Sequence, residues 1–441
     1  MKKILFICIG LIAVGVIYYL TSGSSQAIEE MKKQVNHELT TLEQNGFGIE
    51  DREVKHNGEH FVLYFAEPEK ITSYLKQQGV QINTKDISSL KGMKFAVDAK
   101  YLNDTYSALS VDITPKALPN EAVTTLQKKD PKLLARVQKL IADKTLLVHV
   151  DFNKLLNGFK GYVKDVNETF TDEVSVNLFA QGMTFEGSIA DEKLKELQQH
   201  ITQLSLHADK AVEVVLKNLT ATYTLTGTTN YDTHTAYSLE KLKAYATDNF
   251  HMECDNIEGS STTALHDKLL KSTASSTIGK ITLQEKHKSY ALTDTSLDVT
   301  VDNLDIDAFE KLQKTDPQDR FAINKLSEQI LTKGIELNVS NFSSKEVTIQ
   351  DQPMGSFHLN AYGKIDRSLD LTAAQQNPLI LLQALTAKTH IEASPALFSH
   401  LMQDPKAMMV MMLIPPQEKH GQKVYDLSYL KGKLTVNGVS F

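Results

Sequence analysis

The chain has 441 residues, of which 41% are hydrophobic and 23% are charged, and it carries a formal net charge of −7. This composition is that of a globular protein with about three domains, or fewer if large β structures merge, and it excludes wholesale disorder. The acidic balance argues against nucleic acid as a partner, because phosphate binding needs clustered lysine and arginine. Cys8 and Cys254 are the two cysteines. Because Cys8 lies in an apolar N-terminal run, no intramolecular disulfide is expected.

An apolar segment opens the chain. After Lys2 and Lys3, residues 4–20 are uncharged and apolar, with Ile4, Leu11, Val16 and Leu20 distributed along the run. About 17 residues at 1.5 Å each nearly cross the hydrocarbon core of a membrane. We expect residues 1–25 to form a retained membrane anchor, with a cleaved signal peptide as the alternative. The positive-inside rule then places Met1 in the cytoplasm and the body of the chain outside.

Helices and strands alternate through the first half of the body. Helical spacing predicts a helix from Ile28 to about Asn45, a short helix opening at Pro68, and a helical pair interrupted at Pro131. A hairpin is predicted around the Asn57-Gly58 turn, because this pair favours the left-handed conformation. Alternating apolar residues predict further half-buried strands at 93–101, 109–113, 146–152, 174–179 and 183–189.

The second half repeats this alternation. Residues 191–200 and 237–246 show apolar spacing that predicts helices, and residue 307 is expected to cap a helix at 308–314. Residues 255–276 are rich in Ser, Thr and small residues, which favours a loop or an internal boundary. We therefore expect two β-rich lobes with helices, at residues 26–250 and 251–441.

One octet recurs three times, at 212–219, 297–304 and 335–342, and a return strand for the last copy is predicted at 356–362. Each copy has aliphatic residues at positions one, three and five, an acid at two and Asn at seven. Since side chains alternate along a strand, each copy predicts a strand with one apolar face, and the Asn is expected where the chain leaves the sheet. The residues predicted to line this apolar face are Val212, Val214, Leu216, Leu297, Val299, Val301, Ile335, Leu337 and Val339.

These patterns predict an α+β fold class. We expect large antiparallel β-sheets of half-buried strands with interspersed helices, together with one N-terminal transmembrane helix.

Known catalytic and metal motifs give no assignment. The fourteen histidines form no H-E-x-x-H pair, and neither G-x-S-x-G nor a phosphate-binding glycine loop occurs. The acidic group Asp298, Asp302, Asp305 and Asp307 lacks the glycine and distal glutamate of a calcium loop, so a solvent-facing strand and a helix cap explain it better. No catalytic residue, metal or cofactor is therefore predicted, and Cys254 is expected to be an inert buried thiol.

A methionine-rich segment, Ala407–Ile414, stands near the end of the chain. Four methionines in eight residues suit either an ordinary core helix or a groove that accommodates hydrocarbon, because methionine adapts to irregular partners. Both interpretations remain open from the sequence.

The C-terminal third resembles the YdgA-like family. The segments that carry the resemblance are K-G-I-E-L at 333–337, G-S-F-H-L-N-A-Y-G at 355–363, Asn377-Pro378, H-I-E-A-S-P-A-L at 390–397 and L-K-G-K-L-T-V-N-G-V-S-F at 430–441. The resemblance implies a bacterial protein anchored in the inner membrane, single-pass, with its body in the periplasm. The family is of unknown function, so the resemblance supplies no active-site residues.

Two functional hypotheses follow. The preferred one is a non-enzymatic, membrane-anchored envelope protein that binds lipid or acyl chains on an apolar sheet face, or acts as an assembly scaffold. Its expected partners are the inner membrane, lipid, and a second copy or another envelope protein. The alternative is a membrane-tethered periplasmic hydrolase acting on envelope polymers, since a glycosidase needs only two suitably placed carboxylates.

Overall fold

The computed structural model describes residues 28–77, 84–102, 107–155, 157–170, 175–190, 193–208, 212–247, 250–315, 318–367, 369, 373, 377, 379–404, 408 and 414–440. Strands take up about 60% of these residues and helices 23%.

Nine helices occur in the described residues. They are α1 (Ile28–Gln44), α2 (Pro68–Gln77), α3 (Thr84–Ser88), α4 (Asn120–Lys129), α5 (Pro131–Ala142), α6 (Ile306–Lys314), α7 (Arg320–Leu331), α8 (Leu379–Ala384) and α9 (Pro395–Leu401). Aspartates begin three of them, because a carboxylate satisfies the unpaired backbone N–H groups of a first turn. Asp130, Asp305 and Asp319 accept hydrogen bonds from the N–H groups of Leu133, Ala308 and Ala322, each at 2.9 Å.

The described strands number 22. They are β1 (Phe47–Lys55), β2 (Gly58–Phe65), β3 (Lys94–Tyr101), β4 (Ser107–Ala117), β5 (Val148–Asn153), β6 (Gly158–Val163), β7 (Val166–Phe170), β8 (Val176–Gln181), β9 (Met183–Ala190), β10 (Lys193–Ala208), β11 (Val212–Leu225), β12 (Thr233–Ala246), β13 (Phe250–His266), β14 (Leu269–Glu285), β15 (Lys288–Asp305), β16 (Glu336–Ile349), β17 (Gln352–Ile365), β18 (Leu385–Ala393), β19 (Gln417–Lys419), β20 (Gln422–Leu430), β21 (Lys433–Val436) and β22 (Val439–Ser440).

The predicted α+β class is wrong, because one large antiparallel sheet dominates the fold. Three segments account for much of the difference. Residues 191–200 and 237–246, predicted as helices, fall within or overlap β10 and β12, and residues 255–276, predicted as a loop or boundary, lie in β13 and β14. The predicted cap is also displaced, since Asp305 caps α6 and Asp307 pairs with Lys268 at 2.7 Å.

The predicted membrane anchor lies outside the described residues, which begin at 28. Among the helices that are described, none combines the length and the apolar character needed to cross a membrane.

The chain divides into two compact units. The first, the N-terminal unit, comprises residues 1–207 and 220–224; the second, the C-terminal unit, comprises 208–219 and 225–441. The division therefore falls within β11, upstream of the lobe boundary predicted after residue 250.

The N-terminal unit has a closed core. Strands β1 to β6 follow one another as antiparallel neighbours, and β9 and β10 continue beside β6. Their apolar side chains pack beneath α1, α2 and α3, which contribute buried residues such as Leu39, Ile71 and Ile87. Val150 and Phe152 at the centre of the sheet are at most 1% exposed. Helices thus cover the apolar side of this sheet and shield it from water.

The C-terminal unit is built differently. Strands β12 to β18 pair in sequence order, and β20 continues beside β18 with β19 and β21 on its far side. Its buried cluster contains only Val347, Ala393 and Leu397 among the described residues. A sheet of this extent with so small a core leaves apolar surface to be accounted for.

Candidate functional site

The predicted apolar residues of β15 and β16 lie side by side. Leu297 pairs with Phe342, Val299 with Val339, and Val301 with Leu337. Directly opposed residues in an antiparallel pair project to the same side of the sheet. Five of the nine predicted residues therefore share one face, and Ile335 lies immediately before β16, where its carbonyl accepts a hydrogen bond from Ile365 N–H at 3.1 Å.

The pairing register extends this face across the C-terminal unit. Leu242 and Leu239 of β12 oppose Cys254 and Ile257 of β13, which in turn oppose Ile281 and Ile278 of β14. On the other side, Val339 and Leu337 oppose Ala361 and Gly363 of β17. The same rows continue through Ala387 and Thr389 of β18 to Leu427 and Tyr429 of β20. We call this continuous surface of β12 to β20 the apolar face.

An ion pair places the first octet on the same face. Glu213 of β11 pairs with Lys243 of β12 at 2.8 Å. Lys243 lies opposite to the apolar face, since it alternates with Leu242 and Ala244. Because side chains alternate along a strand, Val212, Val214 and Leu216 lie on the other side from Glu213 and thus on the apolar face.

The reverse side of this sheet is polar. Asn341 Nδ2 donates to Ser296 Oγ at 2.7 Å and to Asp298 Oδ2 at 3.2 Å, while Lys364 Nζ donates to Glu336 at 2.5 Å. His390 Nδ1 lies 2.6 Å from Asp426 Oδ1, and its Nε2 lies 3.0 Å from Glu392 Oε1. These cross-strand pairs satisfy the polar groups with one another and with solvent, so this side needs no further covering layer.

Several side chains on the apolar face are substantially exposed within the described structure. Leu337 is 49% exposed, Leu297 38% and Val212 37%. At Gly363, which opposes Leu337, an added Cβ would meet no described atom within 4 Å. As far as the described residues extend, open space therefore lies directly above the sheet at this point.

Helices contact the strands of the apolar face at both of their ends. Leu397 of α9 packs on Val347 and Ala393, with Phe357 and Ile349 nearby. At the opposite ends of the strands, α6 begins where Ile306 N–H bonds to Lys268 O at 3.1 Å, and α6 and α7 both contact β15. Among the described residues, the stretch between these two ends has no comparable buried cluster.

Sequence reasoning misses part of this face. It predicts the return strand at 356–362 but does not connect the alternation of Phe357, Leu359, Ala361 and Gly363 to the octets. The apolar alternation is weaker there because Ala361 has a small side chain and Gly363 has none. Residues 407 and 409–413 of the methionine-rich segment lie outside the described residues, so neither interpretation of that segment is tested.

The asparagines of the octets do not end their strands as predicted. Asn218 and Asn303 lie inside β11 and β15 with φ of 49° and 60°, and Asn341 lies beside a register shift in β16. Asparagine tolerates the left-handed backbone of such irregularities. A bulge bends a strand and strengthens its twist, so these positions curve the sheet that carries the apolar face.

The carboxyl groups of the described residues whose pKa departs from its ordinary value are shifted downward. Hydrogen bonds from Lys241 and His390 hold the pKa values of Glu253 and Asp426 below their usual range. The pKa values of Asp51, Asp232, Asp307 and Glu418 are also lowered. A glycosidase needs one carboxyl group with a raised pKa as its acid, and these shifts run in the opposite direction.

Metal and thiol chemistry find no support in the described residues either. No three His, Cys, Asp or Glu side chains among them are grouped to hold a metal ion. Cys254 is buried on the apolar face, and burial raises the pKa of its thiol, as expected for an unreactive cysteine.

Comparison of the chain with protein-family models, curated protein sequences and solved structures gives no match. The resemblance to the YdgA-like family therefore stays a prediction from the residues that carry it.

Proposed function

We propose that this protein is a non-enzymatic envelope protein that holds the acyl chain of a lipid on the apolar face of its C-terminal unit. The observation that carries the proposal is the exposure of Leu337 beside the open space above Gly363. An apolar sheet face of this size is unfavourable in water unless a ligand or another protein covers it.

The dimensions of the face suit an acyl chain. Small residues of β17 and β18, among them Ala361, Gly363 and Ala387, lie between larger ones on β16 and β20, such as Leu337 and Tyr429. Three strand spacings separate β16 from β20, or about 14 Å. Along β15, the five residues from Leu297 to Val301 extend for about 14 Å, close to the depth of one leaflet at roughly half of a 30 Å core. Between Leu297 and Val301, the paired residues of β15 to β18 that lie on the apolar face include no charged side chain.

We also propose that the protein is located at the inner membrane. A tether at residues 4–20 in the inner membrane would keep the periplasmic face beside a supply of lipid. The face alone also suits an assembly scaffold, in which a second copy or another envelope protein takes the place of the lipid.

A tryptophan reporter tests the proposal directly, because the natural chain contains no tryptophan. Leu337→Trp places a single indole on the apolar face, and Thr273→Trp places one on the exposed polar side of β14 as a matched control. With the full chain, we expect a fatty acid brominated on its acyl chain to quench the fluorescence of Leu337→Trp and to leave that of Thr273→Trp unchanged.

A variant that blocks the apolar face provides a second test. Gly363→Leu adds a side chain at a position where an added Cβ meets no described atom within 4 Å, so the fold should be retained while the brominated fatty acid no longer quenches the indole at position 337. Native mass spectrometry with lipid extraction should then find acyl lipid on the natural chain and not on Gly363→Leu. Equal quenching of Leu337→Trp and Thr273→Trp, or a lipid-free dimer in place of a lipid complex, would contradict acyl binding and support the scaffold.

A further inference from the structure

One row of paired residues marks an end of the C-terminal sheet. Asp302 pairs with Glu336, Glu336 with Lys364, Lys364 with Thr386, Thr386 with Leu430, and Leu430 with Lys433. This row crosses β15, β16, β17, β18, β20 and β21, and we call it the rim. Three connections leave from it: the α6–α7 hairpin, the segment containing α8, and the tight turn between β20 and β21.

Each connection exposes large apolar side chains. Phe321 lies near the start of α7, about midway along the chain between β15 and β16. Its side chain is 82% exposed. Leu379 of α8 is 60% exposed, with Leu381 and Leu382 also exposed, and Leu430 on the rim is 51% exposed. Single exposed leucines are ordinary on protein surfaces. The three connections at this end of the sheet expose five such residues, against Tyr290, Leu401 and Met408 at the other end of the strands among the described residues.

The turn beside Leu430 is basic, while the rim row itself balances Asp302 and Glu336 against Lys364 and Lys433. Lys431 and Lys433 flank the turn beside Leu430, and no acidic residue follows Asp426 in the sequence, although the chain carries a net charge of −7. Residues 371–387, which include α8, contain no charged residue. Apolar side chains next to lysines are typical of surfaces that enter the interface of an anionic bilayer.

We propose that the rim docks on the surface of an anionic phospholipid bilayer and lets lipid pass between that bilayer and the apolar face. The apolar rows begin directly beside the rim, since Val301 and Leu337 neighbour its first pair. A docked rim would place the end of the face against the acyl region. This inference rests on the proposed acyl binding for its purpose, while the docking itself is measured independently.

Single-tryptophan reporters in the full chain locate the docking surface. Phe321→Trp and Leu379→Trp lie in connections that leave from the rim, and Leu401→Trp, on the 46% exposed Leu401 of α9, marks the opposite end of the strands as the control. With phosphatidylglycerol-containing vesicles, we expect a blue shift of the emission of Phe321→Trp and Leu379→Trp, and quenching by lipids brominated on their acyl chains. Leu401→Trp should show neither effect. Phosphatidylcholine vesicles should give a weaker response.

A charge pair supplies the second readout. Lys431→Gln with Lys433→Gln, introduced into the Leu379→Trp chain, should weaken its response to anionic vesicles about 30-fold, since each lysine near such a surface contributes roughly fivefold. The same change at Lys286 and Lys288, in the exposed turn at the other end of β14 and β15, should leave the response unchanged.

The two proposals fail separately. If Phe321→Trp and Leu379→Trp do not respond to either vesicle, or if Leu401→Trp responds equally, rim docking is wrong even when brominated fatty acid quenches Leu337→Trp. If the rim reporters respond and Leu337→Trp is not quenched by fatty acid, the rim binds membranes and the acyl-binding proposal is the one that fails.

Discussion

The ring of Tyr237 lies across Gly259, its partner on the neighbouring strand. A Cβ added at residue 259 would lie 2.5 Å from both Cζ and the hydroxyl oxygen of Tyr237, which is closer than real contacts allow. A side chain at 259 would therefore displace the aromatic ring of Tyr237, whereas a Cβ added at Gly363 on the same face meets no described atom within 4 Å. The two glycines differ in what lies over them.

This contrast gives a matched pair of substitutions. Gly259→Val should lower the free energy of unfolding by about 1–3 kcal/mol, because the ring must move. Gly363→Val should leave it unchanged or raise it by about 0.5–1 kcal/mol, since glycine is unfavourable within a strand. Denaturant unfolding of both variants, followed by circular dichroism, makes the comparison. Equal destabilisation by the two variants would mean that the space above Gly363 is filled.

A second prediction concerns the buried carboxylate of the N-terminal unit. The Glu59 side chain is 1% exposed; its Oε2 accepts hydrogen bonds from Arg52 at 2.8 and 3.1 Å, and its Oε1 accepts one from Tyr101 at 2.6 Å. Arg52→Met should destabilise the fold by about 3 kcal/mol, because it leaves a buried charge without its cation.

The control for Arg52 is an exposed pair on the same strand. Lys55 lies 3.5 Å from Glu53, with both side chains more than 60% exposed. Lys55→Met should therefore change stability by less than about 0.5 kcal/mol. Thermal unfolding of the two variants would contradict the prediction if their losses were similar.

The third prediction is a dependence of stability on pH. His390 has a carboxylate within hydrogen-bonding distance of each ring nitrogen, so both contacts are satisfied only when the imidazole is doubly protonated. The hydrogen bond to Asp426, with a further one to Glu392, raises the pKa of His390. Its contribution is complete below the pKa of an unfolded histidine and is lost as the pH rises through the raised folded value.

Asp426 determines how the stability contributed by the same pair changes at acidic pH. Its pKa is lowered by His390 and Lys419, so its contribution is present above the pKa of an unfolded aspartate and is lost as the pH falls through the depressed folded value. We expect the stability difference between the natural chain and His390→Gln to be largest at mildly acidic pH and to shrink toward alkaline pH. A difference that grows with rising pH would reverse the sign and refute this assignment.

Local patterns in the sequence predict many elements of the fold. The strand at 93–101, the hairpin at Asn57-Gly58 and the helices on either side of Pro131 occur as β3, β1–β2 and α4–α5. In each case a turn residue or a regular apolar alternation identifies the element without reference to distant contacts. The same alternation predicts that Leu297, Val299 and Val301 share a face.

Strand irregularities explain two of the errors. Leu194 and Leu197 are three residues apart, which is typical of a helix, but a register shift between Leu194 and Glu196 inserts an extra residue in β10. Both leucines can then lie on the side of β10 that faces the hydrophobic core. Leu239 and Leu242 of β12 are also three apart; here the register does not shift, and the left-handed backbone of Asn256 lies opposite, between their partners. Local irregularities in a strand pair therefore imitate helical spacing in a sequence.

The Ser- and Thr-rich segment escapes sequence reasoning for another reason. Its residues form long strands in which Thr262 opposes Thr273 and Ser261 opposes Ala274. Such side chains are too small and too polar to give an apolar alternation, so only pairing with distant strands reveals the structure. The exposure of Leu297 and Leu337 in the described structure is also a property of the whole fold, since no local pattern records which helices cover a strand.

The open space above Gly363 also bears on how this protein diverges. Where helices close a core, as around Leu39 and Val150, each position must keep its volume as well as its apolar character. On a face that the described residues leave open, positions such as Leu297 and Leu337 need only remain apolar. Among descendants of this chain, we expect Val, Leu, Ile, Met and Phe to exchange freely at those two positions while charged residues are eliminated.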